Sequence, residues 1–301
     1  MRSGVPPEVV GCLRALGLAE DIPAYRIPGG TGTQLWRLST SPEPLILRLY
    51  PPGDAPLAAQ RREAAFLRHL NSQDLPIPRV HATGVHDRTS YLLLSACPGR
   101  PVGRELRTQP WRAYGLGFAA GGFHAALHQV PVPERLRSLR AAPAEGLEQE
   151  AELSARLQRV PPLRDSILHL DFHPMNMLTD GRRITGVVDW TSAAVGDPRC
   201  DLARTAVLLR CPRTDRAATA PATIGICRLF ERGWAAGYAE GCGRDPALAD
   251  ALQDRGSQVP FLAAAAAQLA WEMRRVRRAA DLQRMQRLVR AWKRSADIAA
   301  S

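Results

Sequence analysis

The sequence predicts an α+β protein of two lobes, a small antiparallel-sheet N-lobe that carries one main helix and a larger, mainly helical C-lobe. Short apolar or alternating runs separated by turn residues fill the first third of the chain, and helical periodicity fills most of the remainder. The segment 97–103, CPGRPVG, lies between them and has the proline and glycine content of a connector. We therefore expect a bilobal chain with lobes at 1–97 and 98–301 and a hinge at about 95–102.

The N-lobe elements follow from local patterns. A helix is expected at about 6–18, and a glycine turn leads into a strand within 27–40. The apolar run at 44–50 predicts a second strand, and the periodicity of 57–70 predicts the main helix. Two further runs on either side of the polar turn at 86–89 predict an antiparallel hairpin.

The C-lobe pattern is helical with one interruption. Helical periodicity covers 110–130, most of 144–158 and 222–299. Residues 168–191 instead contain strand-like runs joined at Asp180-Gly181, which is a strong hairpin signal. We therefore expect a short stretch of β-structure inside an otherwise helical lobe.

Composition restricts the class of protein. Hydrophobic residues make up 45% of the chain and charged residues 23%, which is typical of a globular protein. The longest apolar candidate, 261–271, is shorter than the roughly 20 residues that a membrane-spanning helix needs. The N-terminal residues lack the apolar core of a signal peptide, and the six scattered cysteines contain no C-x-x-C pair. We therefore predict a cytoplasmic protein with free thiols and no membrane association.

The net charge of +11 makes nucleic acid a partner to consider. The charge comes almost entirely from arginine, because Lys293 is the only lysine, and such usage is typical of a GC-rich genome. The densest basic segment, 272–294, has the periodicity of a helix with a solvated face and lacks interleaved aromatic residues that would stack on bases. We expect no nucleic-acid partner and a monomer or homodimer.

The stretch LHLDFHPMNML at 168–178 places polar residues between apolar ones. It contains Asp171 and, five residues later, Asn176, while Asp189 lies at the end of the next strand-like run. Two carboxylates and an amide supply oxygen ligands of the kind that Mg²⁺ prefers. In a phosphoryl-transfer site one aspartate is left to accept a hydroxyl proton. The pattern therefore predicts a magnesium-dependent phosphoryl-transfer site.

This pattern, H-x-D-x-x-x-x-N followed by a strand-borne aspartate, resembles the catalytic core of the protein-kinase-like fold. The form HLDFHPMN…VVDW, followed by VGDPRCDLA at 195–203, is similar to the aminoglycoside phosphotransferase and choline kinase family. The resemblance implies a bilobal phosphotransferase of that fold. The roles it implies are catalysis for Asp171 and His173, magnesium binding for Asn176 and Asp189, and support of the loop for His169 and Asp201.

The predicted N-lobe fits the same resemblance. GGTGTQLW lies between two predicted strands, so it differs from a Rossmann fingerprint and is similar to a kinase glycine loop that covers phosphates. Backbone groups of YLLLSACPG would contact the edge of the adenine. The nucleotide-binding residues that the resemblance implies are Gly29, Gly30, Gly32, Arg48, Glu63, Ser95, Ala96 and Cys97.

Two positions depart from the family pattern. Arg48 stands where the family carries a phosphate-binding lysine, with Glu63 placed to pair with it. Arginine keeps the charge, but its planar fork differs in geometry from an ammonium group. Leu170 stands between His169 and Asp171, where the family usually has a small residue. We expect Leu170 to pack inward without loss of activity.

The sequence therefore predicts a kinase that uses Mg²⁺ and ATP or GTP to phosphorylate a hydroxyl group of a small molecule. The acceptor is left open among aminoglycoside-like, choline-like and sugar- or metabolite-like compounds. The short gap between Asp189 and Gly196 argues against a peptide acceptor. The alternative, which Arg48 favours, is a non-catalytic module of the same fold that binds nucleotide or a partner. Acids that could bind a cationic acceptor are Glu145, Glu148, Glu150, Glu152, Glu231, Glu240, Asp245 and Glu272.

Overall fold

The computed structural model describes residues 5–28, 32–141, 150–210, 221–243 and 255–275, together with positions 245, 248, 283, 286, 287, 289–292 and 294. The chain forms two compact units. The first, which we call the sheet unit, consists of Met1–Pro98 and Thr185–Ser192. The second, the helical unit, consists of Gly99–Ile184 and Ala193–Ser301.

The sheet unit is built on an antiparallel sheet of five strands in the order β1-β2-β3-β5-β4. Arg48, in the middle of β3, pairs with Leu35 on β2 and Leu92 on β5, so it lies on a central strand. The predicted hairpin is confirmed, with its turn at residues 87–88. The strands are β1 (Ala24–Ile27), β2 (Gln34–Leu38), β3 (Leu45–Tyr50), β4 (Val80–His86) and β5 (Thr89–Ser95).

Two helices flank this sheet. Helix α1 (Pro7–Ala15) packs in one core cluster with Leu47 and Leu49 of β3. Because side chains alternate along a strand, Arg48 lies on the opposite face, where it meets α2 (Asp54–Leu70). The opening helix ends three residues earlier than the sequence predicts, because Gly17 takes a positive φ of 67° that terminates it.

The helical unit contains the longer helices and several short strands. Strand β7 pairs with β10 and β6 pairs with β8, both antiparallel. The helices are α3 (Val102–Thr108), α4 (Ala113–Gln129), α5 (Glu134–Arg137), α6 (Ala151–Arg159), α7 (Pro198–Arg210), α8 (Pro221–Gly241) and α9 (Arg255–Arg275). The strands are β6 (Arg100–Pro101), β7 (Ser166–Leu168), β8 (Met177–Thr179), β9 (Ile184–Val187, at the boundary of the units) and β10 (Ala194–Gly196).

The predicted connector at 97–103 is partly regular structure. Strand β6 and the first turn of α3 lie within it. Pro101 takes φ −55° and ψ 131° immediately before the helix, so the prolines and glycines of this segment mark a helix start. The predicted hairpin turn at Asp180-Gly181 is confirmed between β8 and β9, and Gly181 takes a φ of 95°.

Helices α4 and α8 approach each other through glycines. Gly117 and Gly121 on α4, and Gly233 and Gly237 on α8, are each spaced by four residues and therefore share one helix face. A Cβ at any of these positions would lie 2.0 to 2.2 Å from a backbone carbonyl oxygen of the facing helix. The glycines therefore set the distance between the two helices.

Helix α9 packs against α6 and α7 through an alanine-rich core. Ala263, Ala266 and Leu269 are buried in one cluster with Leu153 of α6 and Val207 of α7. Across the described ranges, no helix has the length and apolar character that crossing a membrane would require. The cysteines in the described ranges are free thiols at positions 12, 97, 200, 227 and 242.

Candidate active site

The predicted catalytic residues of the helical unit lie on one loop, residues 169–176, which we call the motif loop. It begins after Leu168 at the end of β7 and ends before Met177 at the start of β8. Because β7 pairs with β10 and β8 pairs with β6, each end of the loop is held by a paired strand. Within the loop the N–H of Asn176 donates to the carbonyl of His173 at 2.8 Å. The N–H of Asp171 donates to Nδ1 of His169 at 3.2 Å. The motif therefore folds back on itself through short-range hydrogen bonds.

Asn176 and Asp171 are joined directly. The amide nitrogen of Asn176 donates to Oδ2 of Asp171 at 2.9 Å and to the Asp171 carbonyl oxygen at 3.0 Å. Because the nitrogen faces Asp171, the amide oxygen points away from it. That oxygen is a neutral hard donor of the kind that Mg²⁺ accepts.

His173 also faces Asp171. Its Nε2 lies 3.5 Å from Oδ2 of Asp171, and its Nδ1 accepts the N–H of Met175 at 3.2 Å. Burial raises the pKa of Asp171, but the hydrogen bond from His173 and the charges of His169 and Arg204 outweigh it and hold the pKa well below its usual range. Asp171 is therefore an ionised carboxylate at neutral pH.

Asp201 holds the start of the motif loop. It lies in the first turn of α7 and is fully buried. Its Oδ2 accepts the N–H of His169 at 2.6 Å, and its Oδ1 accepts the N–H of Leu170 at 2.9 Å. Burial raises its pKa, but the charge of His124 and hydrogen bonds from His124 and His128 hold the pKa well below the usual range. Asp201 thus remains a buried anion whose bonds fix two successive peptide groups.

A buried network behind Asp201 was missed by the sequence analysis. His124 and His128, one turn apart on α4, place Nε2 at 3.1 and 3.4 Å from the Asp201 carboxylate. Trp234 of α8 donates to Nδ1 of His124 at 3.2 Å, and Nδ1 of His128 lies 2.8 Å from the Tyr238 hydroxyl. Although two histidines and an aspartate are a possible metal-binding set, both ring nitrogens of each histidine already lie at hydrogen-bonding distance from partners. We interpret the cluster as a hydrogen-bond network. The two histidines at a four-residue spacing are its only signal in the sequence.

The sheet unit brings together Arg48, Glu63 and Asp189. Nη1 of the buried Arg48 donates to Oε2 of Glu63 at 2.9 Å, to Oε1 at 3.2 Å and to Oδ1 of Asp189 at 2.9 Å. Burial lowers the pKa of Arg48, but the two carboxylates outweigh it and raise the pKa. Within the described residues, Nε of Arg48 is buried without a hydrogen-bond partner. One guanidinium nitrogen therefore serves both acids.

Neighbouring groups fix these two acids. The hydroxyl of Tyr50 and the N–H of Trp190 donate to Glu63, the latter at 3.3 Å. Asp189 takes a φ of 66°, and its Oδ1 also accepts the hydroxyl of Thr191 at 2.9 Å. A non-glycine residue in the left-handed region is uncommon and is frequent at functional sites. The backbone thus directs the Asp189 carboxylate.

The predicted nucleotide-base contacts are only partly available. The N–H of Ser95 donates to the Arg79 carbonyl at 2.9 Å, and the N–H of Ala96 donates to the Pro44 carbonyl at 3.0 Å. Among the described hydrogen bonds none uses the N–H of Cys97. Of the three backbone N–H groups at Ser95, Ala96 and Cys97, that of Cys97 is therefore the one that could donate to a base.

The glycine loop is described in part. Gly29 and Gly30 lie outside the described residues. Gly32 has a φ of 94°, and, apart from its chain neighbours, no atom of the described residues would lie within 4 Å of a Cβ added there. The loop that contains it joins the antiparallel strands β1 and β2, as the sequence predicts.

The prediction for Leu170 needs correction. The side chain is only half-buried, and its φ of 61° places the backbone in the left-handed region. A small residue, glycine above all, takes this conformation at lower cost, which accounts for the small residue that the family usually has at this position. The side-chain pattern indicated packing, but the constraint at this position acts on the backbone.

Several acids that could bind a cationic acceptor are paired with arginine. Glu231 accepts from Arg210 at 2.7 Å, Glu272 accepts from Arg204 at 2.9 Å, and Asp245 pairs with Arg164. Glu152 and Glu240 are exposed, and Glu150 is half-buried. The remaining candidates, Glu145 and Glu148, lie outside the described residues.

The buried Arg48–Glu63 pair of the sheet unit and the H-x-D-x-x-x-x-N loop of the helical unit are the features expected of a small-molecule phosphotransferase of the protein-kinase-like fold. The model of the phosphotransferase enzyme family matches residues 24–239. The chain belongs to this family.

Named relatives agree with this membership. The chain is 28% identical over 204 residues to the aminoglycoside 3'-phosphotransferase of Streptomyces fradiae, a match that covers 58% of this chain and 75% of that enzyme. It is 32% identical over 171 residues to the viomycin phosphotransferase of Streptomyces vinaceus, which covers 46% of this chain and 59% of that enzyme. The predicted family resemblance and the predicted enzyme class are confirmed.

A solved structure supports the fold. A thermostable mutant of aminoglycoside phosphotransferase APH(4)-Ia, in ternary complex with ADP and hygromycin B, has a TM-score of 0.66 with 18% identity. The match covers 99% of this chain and 100% of that chain. The predicted α+β, bilobal protein-kinase-like fold is confirmed.

Proposed function

We propose that this phosphotransferase moves the γ-phosphoryl group of ATP or GTP, with Mg²⁺, to a hydroxyl group of a small molecule. The observation that carries the proposal is the ionised Asp171 carboxylate, which contacts His173 and Asn176 on a loop anchored to Asp201. Family membership supports the reaction type.

The carboxylate of Asp171 would accept a hydrogen bond from the hydroxyl group of the acceptor. Because its pKa is well below the usual range, it is a weak base, and its main contribution is to orient the hydroxyl. It would take the proton as the hydroxyl oxygen bonds to the γ-phosphorus and the bond from that phosphorus to the leaving nucleoside diphosphate breaks. His173 would lie beside the transferred group, where its contact with Asp171 keeps both side chains in place. Catalysis of this kind consists of positioning and electrostatic stabilisation.

The residues proposed for magnesium fit that ion. Asn176 offers an amide oxygen directed away from Asp171, and Asp189 offers a carboxylate on a strained backbone. Both are hard oxygen donors. Bound Mg²⁺ would neutralise phosphate oxygens, and the charge of Arg48 would add to this effect. We further propose that residues 1–97 form the nucleotide lobe and 98–301 the catalytic and acceptor lobe.

The acceptor has two candidate classes. The relatives named for aminoglycosides and viomycin support a cationic antibiotic. The pairing of Glu231, Glu272 and Asp245 with arginines supports a neutral or anionic hydroxylated compound, because a cation would have to compete with these arginines. A cytoplasmic location stays a prediction and is consistent with the free thiols.

The second candidate is a module that binds nucleotide without transfer. The engagement of Asp189 by Arg48 favours it, because a guanidinium on the proposed metal ligand competes with a metal ion. The family match and the intact motif loop favour an enzyme.

Thermal unfolding with nucleotide, followed by a transfer assay, separates the two candidates. A nucleotide at about 100 times its dissociation constant stabilises the fold by about 2.7 kcal/mol, and a shift that needs Mg²⁺ supports the proposed site. In Asp171→Asn we expect this shift to remain and the transfer rate to fall at least about 100-fold. The substitution removes the base but keeps a side chain of similar shape that can still form hydrogen bonds. Radiolabelled γ-phosphate and a panel of aminoglycosides, viomycin and neutral polyols would identify the acceptor. Transfer at the wild-type rate in Asp171→Asn would refute the assignment of the base, and a shift without any transfer would support the binding module.

A further inference from the structure

The residue before the proposed base has an unusual conformation. Leu170 takes a φ of 61°, and the peptide that follows it sets the direction in which Asp171 leaves the chain. A residue with a Cβ does not hold this conformation without compensation from its surroundings. Something in the helical unit must therefore stabilise Leu170.

Helix α7 holds both polar groups of Leu170. Oδ1 of Asp201 accepts its N–H at 2.9 Å, and Nε of Arg204 donates to its carbonyl oxygen. The two side chains are three residues apart on α7 and so project from one face of that helix. The resemblance assigned a role to Asp201, but it assigned none to Arg204.

Arg204 is itself held from α9. Its Nη2 donates to both carboxylate oxygens of Glu272, at 2.9 and 3.0 Å. Arg204 is only 8% exposed, and Nη1 is buried with no hydrogen-bond partner in the part of the chain that the structure describes. Arg204 is therefore held between the Leu170 carbonyl and the Glu272 carboxylate.

We infer that Arg204 positions Asp171 by holding the carbonyl oxygen of Leu170, the preceding residue. Glu272 acts only through Arg204. The inference rests on the proposed transfer reaction. In this chain the side chain at Leu170 makes the left-handed turn costly, and the pair Arg204–Glu272 offsets that cost. The C-terminal helix α9 is thereby connected to the motif loop.

The first experiment compares two arginines of the same helix. Arg204→Met removes the hydrogen bond but keeps an unbranched side chain of similar length. Arg210→Met is the matched control, because Arg210 pairs with Glu231 and is 40% exposed. We expect Arg204→Met to lower kcat about 100-fold, as a misplaced reacting group does, with the KM for nucleotide within threefold of wild type. Arg210→Met should leave kcat within twofold. An Arg204→Met enzyme with kcat within threefold of wild type would overturn the inference.

The second experiment tests the cause. Glycine takes a positive φ without a steric penalty, so Leu170→Gly added to Arg204→Met should recover at least tenfold in kcat. Glu272→Gln should lower kcat in the wild-type background and leave it unchanged in the Arg204→Met background, because both changes break one connection. If glycine recovers nothing, or if the effects of Arg204→Met and Glu272→Gln multiply, Arg204 does not act through Leu170.

A third measurement does not depend on catalysis. Amide hydrogen exchange of a peptide that covers 169–172 should be faster in Arg204→Met than in wild type and in Arg210→Met. Faster exchange with no transfer in any variant, wild type included, would mean that the proposed function is wrong and the positioning of the loop is right. Unchanged exchange would contradict the inference whatever the activity.

Discussion

At the scale of single residues, the contacts of Arg48 differ from those that a lysine would make at the same position. Its one nitrogen, Nη1, lies within hydrogen-bonding distance of both Glu63 and Asp189. A lysine ammonium has three donors where a guanidinium has five, and as a compact charge on a flexible stem it can leave one acid without displacing a planar group. The arginine therefore ties Asp189 to Glu63 more rigidly than a lysine would.

Arg48→Lys should remain active or become more active. The ammonium keeps the charge beside Glu63 and releases Asp189 more readily, so we expect the KM for Mg²⁺-nucleotide to fall or to stay within about threefold. Steady-state kinetics at varied Mg²⁺ measure this. Arg48→Met is the control, since the buried Glu63 and the half-buried Asp189 would lose their counter-ion and stability would fall by about 3–5 kcal/mol. Complete loss of transfer in Arg48→Lys would show that the site depends on the arginine fork.

The residues of the motif loop could be found from the sequence because they are close together in it. Asp171, His173 and Asn176 lie within six positions, and the structure brings them into contact. Their functional roles stay predictions. The left-handed backbone conformation of Leu170 could not be predicted from the sequence, because a pattern of side chains does not determine φ at a single non-glycine residue. The partners of Asp201 were missed because His124 lies 77 positions away in sequence.

At the scale of elements, the packing of α4 on α8 controls the histidine network. The glycines at the contact let Trp234 and Tyr238 of α8 approach the histidines of α4. The sequence predicted both helices, and it also contained the four-residue glycine spacing. It could not show that the two glycine faces meet, because the contact joins segments about a hundred residues apart.

Gly121→Ala should destabilise the protein strongly. The added Cβ would lie 2.1 Å from the Trp234 carbonyl oxygen, so the helices must separate, at a cost of about 1–3 kcal/mol or more. Gly122→Ala is the control on the adjacent position, where, outside its own helix, no atom in the described part of the chain would lie within 4 Å of a Cβ. There the better helix propensity of alanine should stabilise by up to about 1 kcal/mol. Urea unfolding of both variants measures the difference, and equal effects would contradict the close contact.

At the scale of the whole molecule, the buried His128 connects stability to pH. Burial and the charges of His124 and Arg164 outweigh the opposing effect of Asp201 and together lower the pKa of His128 from 6.5 to about 4. Between these two values the unfolded chain binds a proton that the folded chain does not. The free energy of unfolding should therefore have its full value above pH 6.5 and fall by about 3 kcal/mol as the pH drops toward 4.

His128→Gln should weaken this pH dependence. Urea midpoints measured between about pH 7 and pH 4.5 should fall less steeply in the variant than in the wild type, because one group no longer takes up a proton on unfolding. His81→Gln, at an exposed histidine, is the control and should keep the wild-type slope. A slope that His128→Gln leaves unchanged would mean that other groups cause the acid sensitivity.

The buried guanidinium of Arg48 also determines which covalent reagents can react at the proposed nucleotide site. Acylating probes that resemble nucleotides need an uncharged amine, and a guanidinium stays protonated in proteins. The chain has a single lysine, Lys293, and burial raises the pKa of the Cys97 thiol to about 11, which leaves it poorly nucleophilic. Amine- and thiol-directed labels of nucleotide sites should therefore leave the proposed site unmodified. A selective inhibitor of this chain would have to bind reversibly, through an anion that the arginine fork can hold.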